Sequence, residues 1–240
     1  AIMTRFFFSG LAVREGEPWA LTGLLGWQGM LMLISVVTMT VGNVAALTQT
    51  NMKRLLAYSS IAHAGYIMMG VVALSENGAR GLIVYLLAYL VMNLGAFLVV
   101  MLIHQETGSF DLRDYGGMYH RAPLLTLAMA VFLFSLMGIP PLVGFMGKLY
   151  VFAAIVEKGP AFWWYALAGA VNAAVAAYYY ARVLKTMIIE ADEEARPALT
   201  IPALDQAWVA AFALANLLPL LFWSRLEAWA KGALVLYAGR

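Results

Sequence analysis

Two ionisable side chains lie well inside apolar stretches of this 240-residue sequence, and they are the first candidates for chemistry. Lys148 follows Pro141 by seven residues, and His63 lies near the middle of another apolar stretch. A lysine partly deprived of water can take up and release protons at physiological pH, and histidine titrates there already. Lys148 therefore predicts proton transfer within a membrane. The alternative is a lysine that extends from a helix end to the membrane surface.

His63 belongs to a polar stripe on its predicted helix. Ser59, His63 and Tyr66 follow one another at i, i+4 and i+7, so they share one helical face. Such a stripe either joins helices by hydrogen bonds or carries protons through water, and the sequence leaves both interpretations open. Tyr85 and Tyr89 also share a face and are further candidates to border a hydrated path. Hydrogen bonds between helices are expected from four amides: Gln28, Asn43, Asn93 and Asn172.

The apolar stretch that carries Lys148 cannot be one straight helix. Residues 123–156 would span about 51 Å as a helix, whereas the hydrocarbon core of a bilayer is about 30 Å thick. Pro140 and Pro141 remove two backbone donors in its middle, so we predict a broken helix over residues 123–157. Gly144 allows close approach beside the break. Carbonyls freed at membrane depth must be buried in protein or line a hydrated cavity, which makes the break a candidate ion path.

The composition sets the fold class. The sequence is 63% apolar and 12% charged, with a mean hydropathy of +0.81, which excludes a water-soluble enzyme. The absence of cysteine excludes disulfides and cysteine-ligated clusters, and a net charge of +2 gives no support for nucleic-acid binding. The sequence contains no phosphate-binding or dinucleotide motif. A metal site at His104 and His120 with Asp111 or Asp114 has no fixed ligand spacing.

We predict an all-α, polytopic transmembrane bundle that forms one membrane domain over residues 1–240. Residues 1–10 are apolar but too short to span, so they are expected to be the end of a truncated helix. Residues 75–80, with Asn77-Gly78, are predicted as a turn, and residues 224–240 as an interfacial tail. Six complete spans are expected: at about 19–47, from Lys53-Arg54 to about 74, and at about 81–103, 123–156 (broken), 161–189 and 203–223.

Two segments resemble a known family. Residues 47–66 read LTQTNMKRLLAYSSIAHAGY, and residues 138–150 read GIPPLVGFMGKLY. Together they resemble the antiporter-like membrane subunits of respiratory complex I, which are related to subunits of multisubunit Na+/H+ antiporters and of membrane-bound hydrogenases. The lysine at position 148 and the Ser-Ser-Ile-Ala-His run are most similar to the subunit N branch, since the subunit M branch has a glutamate at the position of Lys148.

The resemblance implies a protein of fourteen helices built from two inverted repeats, of which this chain covers the end of the eighth helix through the fourteenth. Lys148 matches the proposed exit-side proton carrier, and His63 matches a polar position of the central hydrophilic axis. The family's glutamate–lysine pair and its eighth-helix lysine would lie upstream of Ala1. The loop around Lys53 would face the cytoplasm.

The implied function is proton translocation coupled to quinone reduction in NADH–quinone oxidoreductase. The chain would be a non-redox subunit of this translocase, multi-pass in the cell inner membrane, in contact with other membrane subunits of the complex and with lipid. NAD, FMN, iron–sulfur clusters and quinone would reside in partner subunits, and no soluble substrate would bind here. Two alternatives are a cation/proton antiporter subunit and a purely structural membrane scaffold.

Overall fold

The computed structural model describes residues 26–73, 75–190 and 196–217, and the predicted all-α class is confirmed there. Beyond helices, these residues form one isolated β-bridge between Asn51 and Asp111. The main helices are α1 (Trp27–Leu47), α2 (Met52–Val72), α3 (Glu76–Thr107), α4 (Pro123–Met137), α5 (Val143–Val156), α6 (Trp163–Ile188) and α7 (Ala203–Leu217).

Three of these helices, α1 to α3, are long and apolar enough to cross a membrane. Helices α4 and α5 are shorter and apolar. The predicted truncated helix at residues 1–10 and the interfacial tail at 224–240 lie outside the described residues, as do parts of the first and last expected spans. The count of six complete spans therefore stays a prediction.

The predicted turn at residues 75–80 was wrong. Helix α3 already begins at Glu76, because the Ser75 hydroxyl accepts a hydrogen bond from the Gly78 amide at 3.0 Å and caps the helix. Glu76 and Arg80 then form an ion pair one turn apart, at 2.9 Å. The Asn-Gly pair sits inside this first turn, so capping outweighs its preference for a β-turn.

The polar stretch at residues 104–122 is partly helical. Helix α3 continues to Thr107 and ends at Gly108, whose φ of 71° lies in the left-handed region that favours glycine. A 3₁₀ helix (Leu112–Tyr115) and one helical turn (Met118–Arg121) follow before α4.

The predicted break at Pro140-Pro141 is confirmed. Helix α4 ends at Met137, and Gly138, with a φ of 83°, turns the chain out of the helix. The amide of Gly138 bonds to the carbonyls of Phe134 and Ser135, so these two acceptors are satisfied locally. The next two carbonyls of the last turn, those of Leu136 and Met137, have no hydrogen-bond partner within the helix, as at any helix end. They determine the environment of Lys148.

Helices α2 and α3 form the centre of the bundle. Helix α2 packs against α1, α3 and α5, and α3 also packs against α4 and α7. Helices α1 and α2 approach closely where Gly42 lies against Ala62 and Gly65 lies against Met39. This arrangement brings one face of α2 toward the break between α4 and α5.

Candidate functional site

Lys148 is buried beside the break. It lies on the second turn of α5, and only 6% of its surface is exposed. Its Nζ donates hydrogen bonds to the carbonyl oxygens of Leu136 and Met137, at 2.8 and 2.9 Å. These are the two carbonyls that the break leaves without helical partners. The break thus supplies acceptors that a buried ammonium group needs.

An aromatic ring covers another side of the lysine. Lys148 Nζ lies 5.1 Å from the centroid of the Tyr66 ring, a cation–π contact from α5 to α2. Gly138 packs closely against the lysine on the side of the break, since a Cβ at Gly138 would lie 2.8 Å from Lys148 Cδ. The lysine therefore contacts backbone on one side and the polar stripe of α2 on the other.

His63 is the centre of a second cluster, one turn of α2 away from Tyr66. Its Nδ1 is hydrogen-bonded to the Tyr85 hydroxyl of α3 at 2.9 Å, and its Nε2 to the Tyr180 hydroxyl of α6 at 3.3 Å. The imidazole is 1% exposed and stacks on the Tyr89 ring at 5.2 Å. Each ring nitrogen thus has its own hydroxyl partner on a different helix.

Ser59 and Tyr66 extend the cluster in both directions along α2. The Ser59 hydroxyl is hydrogen-bonded to the Tyr180 hydroxyl, which therefore joins Ser59 and His63. The Tyr66 ring meets the His63 ring edge-on at 5.8 Å. The predicted residues Lys148, Tyr66, His63 and Ser59 form one continuous series of contacts, all of them buried.

A neighbouring amide network holds α1 against α6. Asn43 Nδ2 donates to Asn172 Oδ1 at 3.1 Å, and the Tyr179 hydroxyl donates to Asn43 Oδ1 at 3.0 Å. Asn43 also donates to the Tyr66 hydroxyl at 3.4 Å, so this network touches the series at one point. Gln28 donates to the Val72 carbonyl, from α1 to α2. Three of the four predicted interhelical amides therefore form such bonds.

The remaining predicted residues shape the break rather than contact the lysine. Pro140 and Pro141 are exposed in the connection between α4 and α5. Gly144 is buried where its amide donates to Ser135 Oγ at 3.1 Å, and a Cβ on Gly144 would overlap the Ser135 carbonyl. Gly144 thus permits the contact that fixes α5 against the end of α4.

Sequence reasoning missed one member of the His63 cluster. A run of tyrosines such as Tyr178 to Tyr180 is typical of membrane-interface or packing positions, yet Tyr180 bonds to both Ser59 and His63. Successive helical residues differ by about 100° in direction, so three adjacent tyrosines cannot all face lipid. That angle is the available signal, and the structure buries Tyr179 and Tyr180 while Tyr178 is exposed.

The residues of the alternative metal site take other positions. His104 stacks on the Phe110 ring at 3.7 Å. Within residues 26–73, 75–190 and 196–217, no three His, Asp or Glu side chains are grouped as metal ligands would be.

Comparison with known proteins identifies the fold and the family. Residues 20–176 match the family described as NADH:quinone oxidoreductase/Mrp antiporter, transmembrane. The chain belongs to this family. The matched range contains both segments that carried the resemblance, the polar stripe of α2 and the break with Lys148. The predicted resemblance is therefore confirmed.

Named relatives place the chain within the NADH:quinone oxidoreductase/Mrp family. It is 45% identical to NADH-quinone oxidoreductase subunit N of Anaeromyxobacter sp. (strain Fw109-5), covering 100% of this chain and 48% of the relative. The match covers between 35% and 48% of the length of the first three curated relatives. The predicted similarity to the subunit N branch is confirmed.

Solved structures agree with this fold. A chain of respiratory complex I from Thermus thermophilus with bound aureothin matches with a TM-score of 0.72 and 36% identity, over 83% of this chain and 45% of that one. A chain of the Mrp complex from Dietzia sp. DQ12-45-1b matches with a TM-score of 0.78 and 19% identity, over 88% and 47%, which shows the fold alone.

Proposed function

We propose that this chain is the part of a proton-translocating subunit of NADH–quinone oxidoreductase that loads and releases the pumped proton. One observation carries the proposal: Lys148 is buried at a helix break and held by two backbone carbonyls, in contact with a polar series on α2. A lysine at membrane depth costs about 2.5–3.5 kcal/mol on insertion scales. A fold that accommodates this cost with dedicated acceptors is typical of an ion pathway.

The two sides of Lys148 have different roles in this proposal. The carbonyls of Leu136 and Met137 accept hydrogen bonds but carry no exchangeable proton, so they hold the protonated amine and cannot relay its charge. On the other side, the imidazole of His63 can accept a proton at one nitrogen and donate one from the other. Its partners, Tyr85 and Tyr180, are hydroxyls that both donate and accept.

Energy for the transfer would come from other subunits. Redox chemistry at NAD, FMN, iron–sulfur clusters and quinone would take place in partner subunits, and this chain would do no electron transfer. For the lysine to move a proton, its proton affinity must differ between two states of the complex. Other membrane subunits of the complex would set those states, in the inner membrane of a bacterial cell.

Substitution of the lysine in the intact complex tests the proposal. Lys148→Met keeps most of the length of the side chain and removes the charge, so we expect an assembled complex whose proton pumping falls at least tenfold. Pumping is measured in sealed vesicles as NADH-driven acidification, and assembly by native gel. Lys158→Met is the matched control, since Lys158 is exposed just beyond the end of α5. We expect this control to pump like the wild type.

The same preparations separate the two alternatives. Normal pumping by Lys148→Met would favour a structural scaffold and contradict the proposal. An assembly without NADH-oxidising subunits, in which Lys148 is needed for sodium-driven proton exchange, would favour the cation/proton antiporter. The likeness in fold to an Mrp complex chain is the observation that keeps this second function in the test.

A further inference from the structure

A cleft of about 590 Å³ lies at the opposite end of α6 from Trp164, away from the lysine site. Its walls come from three elements: the turn between α1 and α2 at Thr50, the 3₁₀ helix at Arg113, and the last turns of α6. Arg182 and Lys185 on α6 bring the number of cationic side chains that line it to three, against one acid, Glu190. This excess of positive charge is the first observation that bears on its occupant.

The cationic groups are only partly engaged. Arg182 donates to the carbonyls of Leu47 and Gln49, at 3.0 and 2.6 Å, but its Nε is buried and has no hydrogen-bond partner within the described residues. Lys185 pairs with Glu190 at 3.0 Å in an exposed geometry that is weak in water. Arg113 is exposed, and its guanidinium forms no hydrogen bond or ion pair within the described part of the chain. The exposed cations Arg113 and Lys185 therefore offer N–H groups from which an anion could accept hydrogen bonds.

The outward face of α6 leads into this cleft. Trp164, Val171, Tyr178 and Lys185 recur every seven residues and are all exposed, so they form one stripe along the helix. From Trp164 to Lys185 this stripe measures about 31 Å, close to the thickness of a hydrocarbon core. Trp at one end and Lys at the other is the pattern of a helix whose ends reach the two membrane surfaces. If α6 crosses the membrane in this way, the cleft would lie at headgroup depth and open beside a face suited to acyl chains.

We propose that this cleft binds the headgroup of an anionic phospholipid. The phosphate would be held by Arg113 and Lys185, while Arg182 adds positive charge to the wall, since guanidinium and ammonium groups bind phosphate oxygens with charge-assisted hydrogen bonds. Tyr178 would lie about 10 Å below Lys185, against the upper part of an acyl chain. This inference does not depend on the proposed proton pathway, because it concerns a different surface and a different chemistry.

Lipid photolabelling in the intact complex tests it. The purified complex is reconstituted with phosphatidylglycerol that carries a photoreactive acyl chain, and separately with phosphatidylcholine that carries the same chain. Peptides covering residues 175–190 are then quantified by mass spectrometry. We expect phosphatidylglycerol to label this region of the wild type about tenfold more than phosphatidylcholine does.

Paired variants with equal charge loss separate a site from general surface charge. Arg113→Gln/Lys185→Gln removes two cations from the cleft and leaves Arg182 in place to hold the α1–α2 turn. Lys53→Gln/Arg54→Gln removes two exposed cations at the start of α2, outside the cleft lining. We expect the first variant to lose the preference for phosphatidylglycerol and the second to retain it. Equal losses in both variants, or equal labelling by both lipids in the wild type, would overturn the proposal.

A third variant tests an occupant from the chain itself. Asp192, Glu193 and Glu194 follow the cleft residue Glu190 in the sequence after one alanine. We expect Asp192→Asn/Glu193→Gln/Glu194→Gln to keep or raise the labelling seen in the wild type. Labelling that is absent in the wild type and emerges only in this variant would mean that the acidic segment, and not lipid, fills the cleft.

Discussion

The two titratable side chains at the centre of this molecule have different kinds of neighbours. Lys148 donates its hydrogen bonds to backbone carbonyls, which belong to the broken end of α4. His63 is hydrogen-bonded to side-chain hydroxyls, which belong to α3 and α6. A carbonyl can only accept, whereas a hydroxyl can accept one proton and donate another. The lysine region is therefore suited to hold a proton, and the histidine region to pass one on.

The two regions also depend on the fold in different ways. The carbonyls around Lys148 are positioned by one local feature, the break between α4 and α5. The hydroxyls around His63 require α2, α3 and α6 to pack in one register. Damage to the break should therefore abolish the lysine site as a whole. Loss of one hydroxyl should weaken the histidine region only in part, because the other ring nitrogen keeps its partner.

The largest effect is expected from Gly144→Ala, which acts on the lysine region through the backbone. A Cβ at this position overlaps the Ser135 carbonyl, and a backbone atom cannot turn aside as a side chain can. Overpacking of this kind costs about 1–3 kcal/mol of folding free energy. We expect little assembled complex on a native gel and no pumping from it.

Ala153→Val is the control for this substitution. Ala153 lies on the exposed face of the same helix, so two extra methyl groups there meet no protein core. We expect normal assembly. A Gly144→Ala complex that assembled and pumped like the wild type would contradict the view that the break fixes the lysine site.

Substitution of Tyr66 distinguishes the ring from the hydroxyl at the point where the two regions meet. Tyr66→Leu removes the ring that lies over Lys148 Nζ, and we expect pumping to fall about tenfold. Tyr66→Phe keeps the ring and removes only the long hydrogen bond from Asn43. We expect it to retain most of the activity. Pumping rates of both variants, normalised to assembled complex, provide the measurement, and equal losses would show that the ring has no special role.

Composition and a proline pair were enough to predict the fold class and the break, and they placed Lys148 within an apolar stretch. They also indicated that freed carbonyls and the lysine lie near one another. That Leu136 and Met137 accept from that lysine depends on how α5 folds back on α4, which follows from Gly144 fitting against Ser135. The packing of Gly144 against Ser135 is a tertiary contact, which cannot be predicted from the spacing of residues along the chain.

The helix boundaries and the histidine partners were less predictable. The start of α3 was misplaced because a capping serine competes with an Asn-Gly turn signal, and the sequence shows both. Ser59, His63 and Tyr66 share a face by periodicity alone. The partner across that face is set by the rotation of α6, which buries Tyr180 and exposes Tyr178. Periodicity defines a face of one helix but not what packs against it.

The smallest effect is expected from Tyr180→Phe, which tests whether the histidine region acts as a proton relay. This change removes the hydroxyl that joins Ser59 to His63 and leaves the bond from His63 to Tyr85 in place. Because the hydrogen bond to His63 contributes about 0.5–1.5 kcal/mol, its loss is expected to slow pumping about fivefold. If proton transfer then limits the rate, the slowing should increase in D₂O. Vesicle acidification in both solvents measures this.

Tyr165→Phe is the control for Tyr180→Phe, because it also removes a buried tyrosine hydroxyl. Tyr165 is also fully buried and loses a hydrogen bond to a serine, Ser35 at 2.7 Å, as Tyr180 loses its bond to Ser59, but Tyr165 lies outside the His63 cluster. A purely structural role for Tyr180 predicts that both variants lose similar stability and pump alike. A relay predicts a similar loss of thermal stability in both, with slower pumping and a larger solvent isotope effect in Tyr180→Phe alone. Stability therefore cannot distinguish the two roles, whereas the isotope effect does, because it responds to the movement of the proton and not to the packing around it.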